Sequence, residues 1–408
     1  MKAVLQNKRR ASAPLCVCLL LAALLLTFPF LPASAAEPEG EAAEGAQEEL
    51  LGNIEEMLGG LDTDALQSYL DSLTEAQREA FGGSVTDKIL AVISGDYAVD
   101  YDSALGAIGG LVFDGLIGML PAFCSICAVA ILCGLLGSFR SSFAEGGTAR
   151  VIYFVGYAAI LVLLLSSLTD VIGGGIAAVG SMQAQMQAVF PLLLTLMATS
   201  GGSVSVAVYR PAVLFLSEGI VSVVAGIVFP LASLICVLHM VGNMSAQVRL
   251  QNFSALFASV IKWVLGVALA AFTVFLTVQG ITSATYDGLS FKAAKYAVSN
   301  SVPIIGSFLG SGFDLVIAGS VLIKNSVGSC GIILLALVVL PPLIQLVVCN
   351  LFLRLSAAVV EPIGEPGFSG VLASLGGAVN YFTAGLLAVG FMYFITMLLL
   401  VCSSNTLF

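Results

Sequence analysis

Apolar residues gather in long uninterrupted runs along this chain. Six runs, at about 111–137, 151–169, 211–240, 255–280, 326–349 and 381–402, are long enough to cross roughly 30 Å of hydrocarbon at about 1.5 Å per residue. Two further stretches, 186–208 and 302–324, are apolar but broken. The first, "MQAVFPLLLTLMATSGGS", passes from Pro191 to Ser200-Gly201-Gly202. The second follows "KYAVSNSVP" and passes from Pro303 through Gly306 to Gly310-Ser311-Gly312.

Two readings fit such a pattern. One is a re-entrant helical hairpin: proline opens a half-helix, where its missing N–H costs nothing, and the glycines allow a tight reversal. Irregular backbone at membrane depth is tolerated only where protein or a water-filled cavity covers it. The other reading is an ordinary kinked transmembrane helix. Hairpins give six spans, with Arg140, Arg150, Arg249 and Arg354 all cytoplasmic, as the positive-inside rule prefers; Lys292 and Lys295 then lie outside. Single crossings give eight spans and turn Arg249 outward.

The runs also hint at an internal repeat of about 110 residues, a feature common in transporters and channels. Pro191 and Pro303 are 112 residues apart, and Pro121, Pro230 and Pro342 fall at separations of 109 and 112. Ile126-Cys127 and Ile235-Cys236 sit at equal offsets after their prolines, and Arg140 and Arg249 each follow by 19. The third copy departs, with Arg354 only 12 residues after Pro342.

The N-terminus is a separate object. Lys2, Lys8, Arg9 and Arg10 precede an apolar run from Leu15 to Leu31, then Ala33-Ser34-Ala35. This is the build of a cleavable secretory signal, with an uncleaved anchor as the alternative. Residues 1–35 are therefore expected to be a signal peptide, 36–105 an acidic extracytoplasmic segment and 106–408 a polytopic transmembrane domain. Residues 36–49 are Glu-rich, poor in hydrophobes and expected to be disordered. Beyond them Thr74-x-x-Gln77 and Ser84-x-x-Asp87 read as helix starts. Leu66, Tyr69, Leu70 and Leu73 recur at helical spacing, so a small helical unit is expected, packing on the membrane surface or a partner.

Composition agrees. The chain is 59% hydrophobic and 10% charged, against roughly 25% charge in a soluble domain, so the bulk of it faces lipid. The fold class is all-α, a polytopic helical membrane protein. Of the acids, seventeen lie between Glu37 and Asp102, with only two bases there, whereas eight acids and nine bases cover Ser103 to Phe408. The acidity belongs to one short segment and argues against nucleic-acid binding.

Ionisable groups inside apolar runs carry a functional expectation. Glu218, eight residues into its run, is the leading candidate for a polar path or inter-helix pair. Asp114, Lys262, Asp314 and Lys324 lie nearer predicted ends, and Asp170 is expected at the interface. Gln183, Gln185 and Gln187 alternate, which puts no helix face in contact with all three; they are expected to mark an interfacial helix. Pro191, Gly201, Gly202, Pro303, Gly306, Gly310 and Gly312 complete the candidate pore or packing positions.

Enzymatic constellations are not legible. One histidine, His239, removes most metal sites and His-based triads, and no G-x-x-x-x-G-K-[ST] is present for ATP. Cys124-x-x-Cys127 has metal spacing but no second pair, and reads as small buried hydrophobes. The expectation is a non-enzyme without metal or other cofactor.

The order of features resembles one family. "MQAVFPLLLTLMATSGG" followed by "YRPAVLFLSEG", and then "KAAKYAVSNSVPIIGSFLGSGFDLVIAGSVLIKNSVGSCGIILL" leading to "PPL", are similar to the stage III sporulation protein AE family of endospore-forming Firmicutes. The resemblance covers roughly residues 50–400, and the Pro303–Gly331 block is its most specific part. It implies a subunit in the mother-cell membrane around the forespore, the permease-like core or export platform of a secretion-like channel that sustains forespore development after engulfment. The implied partners are a secretion-type ATPase (protein AA), the ring-forming proteins AG and AH, and the forespore protein Q. The family brings no catalytic residue. A homo-oligomer is compatible with this reading. The competing reading is a stand-alone secondary transporter with its substrate site between the two broken segments.

Overall fold

The computed structural model of the protein describes residues 52, 54, 57–59, 63–94, 101–139, 146–200, 202–244, 250–301, 306–362 and 366–403. Among these every regular element is a helix. Three short helices come first: α1 (Asp64–Ser72), α2 (Glu75–Phe81) and α3 (Val85–Ser94). Long helices follow: α4 (Tyr101–Phe139), α5 (Gly146–Thr199), α6 (residues 203–244), α7 (Gln251–Ser301), α8 (Gly306–Val360) and α9 (Pro366–Cys402).

Six helices among the described residues are long and apolar enough to cross a membrane. The two broken stretches are not spans of their own. The first is shared by the end of α5 and the start of α6, joined at Ser200 and Gly202. The second contributes the start of α8, which is helical from Gly306 through Gly310 and Gly312. The chain thus does not reverse at Gly310 and Gly312, where a hairpin would need it. Pro303 lies in the interval between α7 and α8, outside the described residues. Glycine weakens a helix in water by exposing backbone; in an apolar surrounding the backbone has no solvent to bond, and a continuous helix satisfies it best.

α4 and α5, α6 and α7, and α8 and α9 pack as successive pairs, with α8 also against α4 and α5 at the centre. α8 and α9 are the most enclosed: Leu334, Leu335, Val339, Leu375, Val379 and Met392 are all fully buried. Small residues permit the approach. A methyl group on Gly328 would lie 2.1 Å from Val401 Cγ2, and one on Gly156 2.3 Å from Cys133 Sγ. In membranes such close packing replaces the hydrophobic drive that lipid removes.

Prolines interrupt the bonding ladder inside α4, α5, α6 and α8. α6 answers with two π-helical stretches, Phe215–Ile220 and Val224–Val228. They follow Pro211 and precede Pro230, where the missing N–H and the ring's clash disfavour regular α register.

The short N-terminal helices form as their sequence predicts. Thr74 and Gln77 make the capping box, and Ser84 Oγ accepts the Asp87 N–H at 3.1 Å. Gly82 and Gly83, at φ 72° and 100°, take the left-handed conformation that turns α2 into α3. Leu66, Tyr69, Leu70 and Leu73 are all buried. They are buried against the chain itself: α1 packs on α5, and α2 and α3 on α8.

Candidate functional site

Glu218 lies in the first π-helical stretch of α6, between buried Ser217 and Ile220, with its own side chain exposed. Two amides hold its carboxylate. Gln187 Nε2 donates to Oε1 at 2.6 Å, and Gln183 Nε2 donates to Oε2 at 3.2 Å. The two glutamines are four residues apart, one turn of α5, and so share a face. Hydrogen bonds to an ionised acceptor are the stronger kind.

Gln185 points the other way. It is fully buried, and its Nε2 donates to the Gly331 carbonyl of α8 at 2.7 Å. The three glutamines, expected to mark an interfacial helix, lie within α5 and divide between two faces. They bridge α5 to α6 on one side and to α8 on the other, within one unbroken helix. The i,i+4 relation of Gln183 and Gln187 was available in the sequence, hidden by reading the three as an alternating set.

The surface around this clasp differs from the lipid-facing helices. α4 and α7 expose Phe113, Ile117, Leu120, Trp263, Val267 and Val274. On α5 the large exposed apolar residues stop at Ile176. Beyond it the exposed positions are Ala177, Gly180, Ala184, Gln187, Pro191, Thr195, Ala198 and Thr199, all small or polar and most of them at helical spacing. A carboxylate and this stripe are a poor match for acyl chains, and fit water or protein.

The other candidate residues scatter. Pro191 is exposed inside α5, and leaves the Gln187 carbonyl without its helical donor. Gly202 is buried at the α5–α6 turn, its N–H bonded to the Met197 carbonyl at 2.9 Å; Gly201 lies outside the described residues. Gly306, Gly310 and Gly312 are helical positions at the start of α8. Lys324 is fully buried, and its Nζ donates to the Val401 carbonyl at 2.7 Å. It acts as a clamp on the C-terminal end of α9, where a cation also suits the helix dipole. Lys262 is exposed on α7. Asp114 and Asp170 line a cavity between α4, α5 and α8.

Among the described residues no group of three His, Cys, Asp or Glu side chains could hold a metal. Cys124 and Cys127 are free thiols, the first exposed and the second buried.

Six apolar helices, and an amide-held carboxylate exposed on α6 beside Leu214 and Phe215, define a polytopic helical membrane protein. Residues 84–404 match the family described as Stage III sporulation protein AE. The chain is also 28% identical over 370 residues to the protein of Bacillus subtilis (strain 168) named Stage III sporulation protein AE, covering 90% of this chain and 91% of that one. No solved structure matches. The chain belongs to the Stage III sporulation protein AE family, and is a multi-pass membrane protein of sporulation.

Proposed function

We propose that this protein is the permease-like core, or export platform, of a channel complex joining mother cell and forespore, in the mother-cell membrane around the forespore. The observation that carries the proposal is the Glu218 carboxylate held by Gln183 and Gln187 on a face whose exposed α5 residues are small or polar. A charge on such a surface calls for an aqueous path or an adjoining subunit. The family resemblance supplies the partners proposed here: the ATPase protein AA, the ring proteins AG and AH, and forespore protein Q. No nucleotide-binding motif is present in the sequence, so the energy comes from a partner.

Sidedness follows from the expected signal. With residues 36–105 outside, the α5–α6 and α7–α8 connections face outward, and the connections after α4, α6 and α8 face the cytoplasm. Arg140, Arg150, Arg249 and Arg354 then all belong to the cytoplasmic side, as the positive-inside rule prefers. Pro121, Pro230 and Pro342 fall in the first helix of each successive pair, which supports the 110-residue repeat.

The test is cysteine mapping in a Cys-free background with an impermeant thiol reagent. Arg249→Cys should label only from the cytoplasm. Ala184→Cys and Thr195→Cys should label in the protein alone and become protected when the partner proteins are co-expressed. Labelling of residue 249 from outside, or inert 184 and 195 in both settings, overturns the reading.

A further inference from the structure

Arg354 lies inside the apolar span of α8, about 9 Å of helix before its end at Val360. It is exposed, and so are Leu351, Leu355 and Val359 around it. An arginine so placed ordinarily runs its side chain out to the water beyond the helix end. Here it turns back. Arg354 Nε donates to Asn350 Oδ1 at 2.7 Å, one turn deeper. Asn350 is itself held, its Nδ2 donating to Asn380 Oδ1 on α9. Gly376 on α9 makes the room: a methyl group there would lie 3.3 Å from Arg354 Cγ and 3.6 Å from Asn350 Oδ1. The stem of the arginine is laid against α9, and its charge is fixed beside the α8–α9 contact.

Nη1 and Nη2 of Arg354 have no hydrogen-bond or ion-pair partner among the described residues. Glu361, on the same side of α8, lies about two turns off in the opposite direction, past the helix end. A guanidinium among lipid-facing leucines calls for an anion, and a planar fork with its far edge free fits phosphate oxygens. The neighbouring strip of α9 leaves space for what such a phosphate carries. A methyl group on Gly377 would meet nothing within 4 Å, Ala384 is exposed, and the next large exposed apolar residue of α9 is Phe391. Gly377 to Phe391 is about 21 Å of helix, against roughly 15 Å for one leaflet, half of the hydrocarbon core.

We propose that this furrow binds an anionic phospholipid of the leaflet that holds the α8–α9 connection. The phosphodiester accepts from Arg354 Nη1 and Nη2, and an acyl chain lies over Gly377 and Ala384. Among the described residues no carboxylate bonds the guanidinium or stands ready to take up an amine, so the headgroup is one of net negative charge and not a zwitterion. The site is separate from the Glu218 clasp and does not depend on the export reading.

The full-length protein in neutral maltoside micelles tests this, read as a rise in thermal midpoint with added lipid. Dioleoyl phosphatidylglycerol should raise the midpoint, and dioleoyl phosphatidylcholine should not. Arg354→Gln should need at least tenfold more phosphatidylglycerol for the same rise. Gly377→Leu keeps the guanidinium and fills the furrow, and should also weaken the response; it decides the matter if Arg354→Gln fails to fold. Glycerol phosphate, the head without its chains, separates the sources. No rise with it assigns a membrane lipid, whereas a rise equal to that from phosphatidylglycerol assigns a free phosphate ester and overturns the lipid site. Equal responses to the two lipids, or an unchanged response in both variants, overturn the proposal. So does a wild-type protein indifferent to phosphatidylglycerol, which would leave the guanidinium to a partner protein's carboxylate.

Discussion

Gln77 on α2 donates its side-chain amide to the carbonyl oxygen of Leu337 on α8, at 3.0 Å. Leu337 stands four residues before Pro341, so its carbonyl has no helical N–H to accept. The same glutamine accepts the Thr74 N–H at 3.2 Å and so closes the capping box of its own helix. One side chain therefore starts α2 and docks it on a carbonyl that proline has freed.

This relation predicts a coupling. Gln77→Glu keeps an acceptor for the capping box but cannot donate to Leu337, and should destabilise docking of residues 63–94 by about 1–3 kcal/mol. In a Pro341→Ala background the carbonyl regains a backbone donor, and the same substitution should cost clearly less. Hydrogen exchange of the α1–α3 amides in the four proteins of the cycle reads the interaction. Equal costs in both backgrounds would show that Leu337 does not depend on Gln77.

Tyr69 gives a prediction of opposite sign. Its hydroxyl and that of Tyr393 on α9 are both buried without a hydrogen-bond partner among the described residues. An unmet buried hydroxyl costs about 1–3 kcal/mol, so Tyr69→Phe should raise the thermal midpoint rather than lower it. Burial also pushes the Tyr69 phenol above its ordinary 10.0. The folded form holds its proton more tightly than the unfolded one, so its share of stability is full below pH 10 and declines as pH rises toward the folded value. Midpoints measured from pH 8 to 11 should fall more steeply for the wild type than for Tyr69→Phe.

Two glycines in long helices should respond differently to alanine. At Gly328 the new methyl would meet Val401 Cγ2 at 2.1 Å, and a β-branched neighbour has few rotamers with which to yield. Gly328→Ala should cost about 1–3 kcal/mol by overpacking the α8–α9 seam. Gly173 on α5 has nothing within 4 Å, and Gly173→Ala should gain up to about 1 kcal/mol of helix propensity. Unfolding midpoints in one detergent separate the two, and a stabilised Gly328→Ala protein would mean the seam is looser than drawn.

Much of this architecture is legible locally. Long apolar runs mark the six membrane helices, because no soluble fold tolerates them. The capping residues Thr74 and Ser84 and the spacing of Leu66, Tyr69 and Leu70 mark the small helices and their buried face. Glu218 stands out as a carboxylate in an apolar run. The break at Ser200 to Gly202 is visible, whereas Gly310-Ser311-Gly312 looks like a break and is helix. Glycine signals are calibrated on water, where backbone has an alternative partner; apolar surroundings remove that alternative. Long-range pairs were not legible. Nothing near Gln77 points to Leu337, and the surface that buries Leu66 and Tyr69 is set by α5 and α8, far along the chain. The one local trace is Pro341, which announces an orphan carbonyl without naming its donor.

The Glu218 clasp supports a charge-relocation experiment. Glu218 is exposed and its partners are neutral amides, and a glutamine there keeps an acceptor oxygen for one of them, so Glu218→Gln should shift the thermal midpoint by no more than about 1 kcal/mol. If the carboxylate serves a polar path or a subunit contact, the same substitution should lower spore yield at least tenfold at matched protein level. Gln187 approaches Glu218 to 2.6 Å across the helix pair, so Gln187→Glu in the Glu218→Gln protein returns one carboxylate to the same spot with the amide on the other helix. Substantial recovery of spore yield in the double variant would tie function to the charge at that face rather than to the identity of residue 218. Full yield from Glu218→Gln alone would instead make the carboxylate a helix-pairing device, and would move the search for a conducting or partner-binding surface away from α5 and α6.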